Sequence, residues 1–123
     1  MTDLIHNPEH YQKAAAAVGG RAVQPIELCR LYAFEPGCAM KYILRAPYKG
    51  CRDLDLRKAG QFLSWMRGAG RAYAPLERGD LKPMIAAFRA ANPLIAVLLD
   101  ERGMITPGSV AAAQSALEAC LEV

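Results

Sequence analysis

The stretch GCAMKYILRAPYKGCRDLDLRKAGQFL, residues 37–63, decides the fold of this chain. Pro47 divides it, because the residue that precedes a proline avoids the helical conformation. We therefore expect a short helix over residues 38–46 and, after a loop, a second helix that Asp53 caps and that runs to about residue 67. Apolar residues recur at helical spacing along this second helix, which predicts one buried stripe. The stripe comprises Leu56, Ala59, Phe62, Leu63 and Met66.

Short helical segments and turn signals alternate along the rest of the chain. Glu35-Pro36-Gly37 is predicted to form a turn, and the Gly- and Arg-rich residues 68–79 a loop or lid. No segment shows the period-two alternation of a strand, so the sequence predicts an all-α fold, a small helical bundle that forms one domain over residues 1–123. Further helices are expected over residues 9–18, from 25 onward, and over 81–91, 94–100 and 107–121, the last two after the start signals Asn92-Pro93 and Thr106-Pro107.

Composition indicates a globular protein with a mild basic excess. The chain has 123 residues, 53% of them hydrophobic and 22% charged, which is typical of a folded domain. Fifteen Lys and Arg residues against twelve Asp and Glu give a net charge of +3. Because duplex DNA requires several phosphate contacts made together, nucleic-acid binding is the least favoured interpretation. A small anion such as a nucleotide matches one localised patch better.

Several classes of site are absent from the sequence. The four cysteines form no Cys-x-x-Cys pair and lie far in sequence from His6 and His10, so no zinc or other metal site is predicted. The chain lacks the P-loop, the G-x-G-x-x-G motif and the G-x-S-x-G motif. The N-terminus has no features of a signal peptide, and the longest apolar run, residues 94–99, is too short for a membrane span. We therefore expect a cytoplasmic protein without a membrane partner.

Positive charge is concentrated in residues 37–58. Six cationic and two acidic residues give this segment a charge of +4, which leaves −1 for the rest of the chain. Lys41 and Arg45 share a helix face, and Lys58 follows near the N-terminus of the next helix, where unpaired N–H groups favour phosphate. The cations are Lys41, Arg45, Lys49, Arg52, Arg57 and Lys58, the acids Asp53 and Asp55, and the interleaved aromatic residues Tyr42, Tyr48 and Phe62.

Two interpretations of this cationic segment stay open at the level of spacing. In the first, Lys41, Arg45, Lys49 and Lys58 converge on one polyanion; in the second, the segment is a solvated face whose cations pair with Asp53 and Asp55. Other polar residues are weaker candidates. Glu27 can orient a cation or a nucleotide hydroxyl, although an exposed helix carboxylate is the commoner case. His10 and Tyr11 can contact a base or a phosphate, whereas Trp65 and Tyr73 are expected to be core and loop anchors.

Four short motifs in a fixed order resemble a small phage-encoded family that includes the nucleotide kinase of short-tailed coliphages. The resemblance covers residues 7–66, about half of the chain. It implies phosphoryl transfer from a nucleoside triphosphate to a deoxynucleoside monophosphate without a P-loop; a metal requirement stays open. The motifs are Asn7-Pro8-x-His10-Tyr11, Pro25-Ile26-Glu27, Gly37-x-x-x-Lys41-Tyr42-Ile43-x-Arg45-x-x-x-Lys49-Gly50 and Asp55-Leu56-x-Lys58-Ala59-x-x-Phe62-Leu63.

The resemblance also implies which positions belong to the site. Lys41 and Arg45, with Asp55, would form the catalytic set, and the ligand-binding set would be His10, Tyr11, Glu27, Tyr42, Lys49 and Lys58. The cations among them would hold phosphates and stabilise the transferring group. Asp55 or Glu27 would orient a cation or contact the sugar. The chain departs from the family pattern at Cys38, where the family usually has Asn.

Two functions compete at this point. The first is a nucleoside monophosphate kinase of the unusual phage type; the second is a non-catalytic protein that sequesters a nucleotide or a nucleotide-derived defence signal. They differ in whether donor and acceptor phosphates are held in line. A homo-oligomer is expected, because a pocket built from short helices gains rigidity from a neighbour. The apolar residues 80–123 either complete the core or form the subunit interface.

Overall fold

Six helices and a short β-hairpin form the part of the chain that the structure describes. The structure is a computed structural model and describes residues 16–18, 21–48, 51–77 and 79–121. Helices dominate and pack against one another, so the fold is all-α, as predicted. In chain order the elements are β1 (Ala16–Val18), β2 (Arg21–Val23), α1 (Pro25–Cys29), α2 (Phe34–Arg45), α3 (Arg52–Ala69), α4 (Lys82–Ala91), α5 (Pro93–Leu98) and α6 (Pro107–Leu121).

The hairpin corrects the last three residues of the helix predicted over residues 9–18. Ala16, Ala17 and Val18 form β1 and pair antiparallel with β2, while residues 9–15 lie outside the described residues. The alanines have high helix propensity, but antiparallel pairing with β2 satisfies the backbone groups of residues 16–18 instead. Val23 at the end of β2 is fully buried and joins the hairpin to the core.

Helices α2 and α3 form the centre of the fold and make the most extensive helix–helix packing in it. The predicted buried stripe of α3 is confirmed, with four of its residues buried and Phe62 half-buried against them. On α2, Met40, Ile43 and Leu44 point into the same core, so Lys41 and Arg45 lie on the other face, as their spacing predicted.

Helices α4 to α6 complete this core. Ile85 and Phe88 of α4, Ile95 of α5 and Leu117 of α6 belong to the same buried cluster as α2 and α3. Helix α6 packs mainly on α3 and α5. The predicted start of α5 is confirmed, because the Asn92 side chain accepts hydrogen bonds from the N–H groups of Leu94 and Ile95 at 3.0 and 3.3 Å.

Three predicted boundaries differ from the structure. Residues 35–37 are the first turn of α2, which begins at Phe34 rather than Cys38. Helix α3 begins at Arg52, so Asp53 lies within its first turn and does not cap it. The same helix continues to Ala69 and ends at Gly70, whose φ of 65° stops it. Within the described ranges, no helix has both the length and the apolar character needed to cross a membrane.

Candidate anion-binding site

Three cationic side chains from two helices surround one aromatic ring, Tyr42. The Nζ atoms of Lys41 and Lys58 lie 5.1 and 5.4 Å from the ring centroid, and the Cζ atom of Arg45 lies 5.1 Å from it. These distances are within the range of cation–π attraction. Lys41 and Arg45 reach the ring from α2, and Lys58 reaches it from α3 across the helix–helix contact. The predicted convergence of these three cations is therefore present in the geometry.

Arg45 is tied to a buried carboxylate. Its Nη2 and Nε atoms donate to Oδ1 and Oδ2 of Asp55 at 3.0 and 3.4 Å. The side chains are only 11% and 1% exposed, and Asp55 is the single fully buried charged residue among those described. The pair joins α2 to α3 and holds the guanidinium beside Tyr42, so Asp55 orients a cation, one of the roles implied for it.

Lys41 and Lys58 differ from Arg45 in their partners. Within the described parts of the chain, neither ammonium group has a carboxylate oxygen within 4.0 Å. The other acid of the segment, Asp53, pairs with Arg52 at the surface. Lys41 is half-buried and Lys58 is exposed. The three cations and Asp55 therefore have a net charge of +2, which attracts an anion from solvent.

A pocket of about 530 Å³ lies between α1 and α2, next to these cations. Its walls are mostly apolar and include Ile26 and Phe34, and Lys41 lines it as well. Cys38, the position that departs from the family pattern, is also part of its wall. This volume lies within the range typical of small-molecule sites, which are lined by apolar side chains with a few polar groups.

The second thiol in the pocket wall, Cys29, is chemically inert. The pKa of Cys29 is raised to about 12, mainly by burial and to a smaller extent by the nearby Cys38, while Lys41 opposes the shift. Because the thiolate is the reactive form, Cys29 stays a protonated, apolar wall residue at neutral pH. This accords with the absence of any recognisable nucleophile motif in the sequence.

Of the remaining predicted site residues, the structure describes only Glu27. Glu27 lies on α1, where its Oε2 atom accepts the backbone N–H of Gln24 at 2.8 Å and so stabilises the start of that helix. His10, Tyr11 and Lys49 lie outside the described residues. The structure thus brings together Lys41, Tyr42, Arg45, Asp55 and Lys58. Groups of three or more potential metal ligands are absent from the described part of the chain.

An exposed aromatic cluster lies beside the cations, and of its members only Tyr42 was predicted as a site residue. Phe62 is at its centre, with Phe34, Tyr42 and Trp65 around it at centroid distances of 5.9, 6.1 and 5.3 Å. Phe34 is 75% exposed and Trp65 is 53% exposed, so the expectation that Trp65 is a core anchor is wrong. Tyr73, by contrast, is buried and its backbone pairs with Ile105. The sequence did contain one indication that Trp65 belongs beside the cations: it follows Lys58 by seven residues and therefore lies on the same face of α3.

Comparison of the chain with protein-family models, with curated proteins and with solved structures found no match. The resemblance to the phage-encoded kinase family therefore stays a prediction, and so does the homo-oligomer.

Proposed function

We propose that this protein binds a nucleotide, with the phosphates at Lys41 and Lys58 and the base in the pocket between α1 and α2. The observation that supports this proposal most is that Lys41 belongs to both the pocket and the cation cluster. It lines the apolar pocket and is also one of the cations around Tyr42. A ligand that enters the pocket with an apolar, aromatic part would place its anionic part against the ammonium groups. A nucleotide has both parts.

The charges of the site suit phosphate in particular. Lys ammonium groups act as mobile point charges toward phosphate oxygens, and a charge-assisted hydrogen bond stabilises binding by about 1.5–3 kcal/mol. Asp55 keeps Arg45 in place without neutralising the two lysines. The pocket wall also contains the polar side chains of Gln24 and Arg30. The Oε1 atom of Gln24 is buried with no hydrogen-bond partner among the described residues, so these two side chains are the ones that would distinguish one base from another by hydrogen bonding.

We further propose that the bound nucleotide is a phosphoryl acceptor, as the family resemblance implies. In a kinase, a nucleoside triphosphate would place its terminal phosphate near the acceptor, and the cations around Tyr42 would stabilise the charge that spreads over the transferring group. If a monophosphate binds and no transfer occurs, the second function applies, a protein that sequesters a nucleotide or a nucleotide-derived signal.

A thermal-shift screen with nucleoside mono-, di- and triphosphates and cyclic nucleotides tests the binding proposal. Ligand at about 100 times its Kd stabilises the folded state by about 2.7 kcal/mol, which raises Tm by several degrees. Lys41→Gln and Lys58→Gln should each weaken binding about tenfold or more, because each removes a charge-assisted contact. Lys82→Gln removes an exposed cation of α4, away from the site, and is the matched control.

The same protein and nucleotides then separate the two functions. Chromatography of a mixture of protein, deoxynucleoside monophosphate and nucleoside triphosphate, with and without Mg²⁺, should show the two diphosphates. Tight binding without diphosphate would contradict the kinase and support the sequestering function. If no nucleotide raises Tm, and Lys41→Gln changes nothing, the nucleotide proposal is wrong.

A further inference from the structure

The exposed aromatic cluster and the cations next to it form one continuous face, which we call the α2–α3 face. It consists of Phe34, Lys41 and Tyr42 on α2 and Lys58, Phe62 and Trp65 on α3. Phe34 and Trp65 each contact the Phe62 ring by an edge, at interplanar angles of 70° and 83°, and both are more than half exposed. Large aromatic side chains left in water on one face indicate a binding surface.

The charge around this face restricts what can bind there. Residues 34–69, which contain α2, α3 and their connection, have seven cations and three acids, a net charge of +4, whereas the rest of the chain sums to −1. Two of these acids are already engaged, Asp53 by Arg52 and Asp55 by Arg45, and the third, Glu35, lies in the first turn of α2. After Asp55 the sequence has no acidic residue before Glu77. A partner for this face therefore carries repeated negative charge together with flat apolar surfaces.

We propose that the α2–α3 face binds a short single-stranded nucleic acid, with bases stacked on Phe34 and Trp65 and phosphates against the ammonium groups around Tyr42. Stacking on aromatic side chains accepts any base, since every base has a π-face, and it requires bases that are not paired in a duplex. The inference rests on the nucleotide site proposed above, because Lys41 and Lys58 serve both. It extends that site from one nucleotide to a strand.

Trp65, the only tryptophan of the chain, makes the proposal directly measurable. Its fluorescence should be quenched when a base stacks on it. We would titrate the protein with thymidine monophosphate, with oligothymidylates of two, four and eight nucleotides, and with an eight-base-pair duplex. Affinity should rise from the monophosphate to the tetranucleotide, with quenching. The duplex should bind more weakly than the eight-nucleotide strand.

Variants separate stacking from charge. Trp65→Ala, followed by anisotropy of a labelled octanucleotide, should weaken strand binding by about 5- to 150-fold, the range for loss of one stacked base. It should leave the affinity for the monophosphate unchanged. Trp65→Phe keeps a ring and should restore most of the affinity. Leu76→Ala truncates another exposed apolar side chain, outside the α2–α3 face, and is the matched control. Unchanged circular dichroism and Tm would show that Trp65→Ala is folded.

The salt dependence provides a second, independent measure. Two phosphate contacts, at Lys41 and Lys58, predict a slope of log K against log salt of about −1.4 for a single strand, and Lys41→Gln or Lys58→Gln should each reduce its magnitude by about 0.7. Lys82→Gln should leave it unchanged. A slope near zero, or equal slopes for all variants, would overturn the assignment of phosphates to this face.

Two further results would overturn the strand proposal. If the monophosphate binds as tightly as the tetranucleotide and Trp65→Ala changes neither, the strand proposal fails and the nucleotide site stands; if neither ligand binds, both fail. If sedimentation equilibrium shows self-association that Trp65→Ala abolishes, or if polyglutamate binds as tightly as the octanucleotide, the face has a protein as its occupant.

Discussion

Gly103 occupies a position that no other residue can fill without strain. Its φ is +79°, and a Cβ atom there would lie 2.6 Å from Oη of Tyr32 and 2.7 Å from Cδ1 of Ile85. The same tyrosine hydroxyl donates to the Gly103 carbonyl at 2.7 Å. The glycine therefore lets the loop between α5 and α6 approach the segment after α1.

Gly103→Ala should destabilise the protein by about 2–5 kcal/mol, because it combines the cost of a left-handed conformation with that of overpacking. Two controls separate these contributions. Gly70 also has positive φ, +65°, but an added Cβ meets nothing within 4 Å, so Gly70→Ala should cost about 1–2 kcal/mol. Gly68 lies in α3 in open space, and Gly68→Ala should stabilise by up to about 1 kcal/mol. Urea unfolding measures all three, and equal losses at 70 and 103 would contradict the packing argument.

At the scale of elements, the pair Arg45–Asp55 is the polar connection between α2 and α3. Asp55→Asn should destabilise the protein by about 3–5 kcal/mol, because it removes the negative charge of an ion pair that is largely buried between the two helices. Asp53→Asn is the matched control. It removes an exposed carboxylate from the same helical turn, which pairs with an exposed arginine, and should cost no more than about 1 kcal/mol. Similar losses in the two variants, measured by urea unfolding, would mean that Asp55 is not a structural tie.

The start of α2 shows why element boundaries were harder to predict than elements. Pro36-Gly37 is typical of a turn, yet a proline is also tolerated in the first turn of a helix. Gly37 is there for a tertiary reason: a Cβ atom would lie 2.8 Å from the carbonyl oxygen of Cys29, so only glycine lets α2 pack this closely on α1. Local spacing predicts the order of most helices and their apolar faces. The close packing of α2 on α1 depends instead on two residues that are eight positions apart in sequence and that the fold brings into contact.

The candidate site, like the fold, could be predicted from sequence only where local helical spacing determines it. Helical spacing was enough to place Lys41 and Arg45 on one face of α2, and the near-N-terminal position of Lys58 on α3 suggested its convergence with them. The burial of Arg45 against Asp55 was not predictable in this way. The exposure of Phe34 and Trp65 was not predictable, because an apolar residue at the edge of a buried stripe can lie on either side of the solvent boundary. The pocket between α1 and α2 depends on how closely the helices approach, which no local pattern contains.

At the scale of the whole molecule, the buried thiol of Cys29 and the buried hydroxyl of Tyr32 make the folded state less stable at alkaline pH. Burial raises the pKa of Cys29 to about 12, from an ordinary value of 9.0. It also raises the pKa of the Tyr32 hydroxyl well above its ordinary 10.0, with Asp100 and Cys29 adding to the shift. The folded state therefore keeps both protons at a pH where the unfolded chain releases them. Stability is independent of these groups below about pH 9 and falls as pH rises above that value.

The free energy of unfolding should therefore decline between about pH 9 and pH 12, with Cys29 alone contributing a slope of up to about 1.4 kcal/mol per pH unit. Cys29→Ala removes that contribution, so its curve should fall less steeply than that of the unaltered protein, and the Tyr32 contribution should begin about one pH unit higher. Cys51→Ala removes a solvent-exposed thiol and is the matched control. Urea unfolding followed by circular dichroism at half-unit pH steps measures the slopes. If Cys29→Ala and the unaltered protein lose stability in parallel through this window, Cys29 is open to solvent through the pocket, and the wall between α1 and α2 is looser than the structure shows.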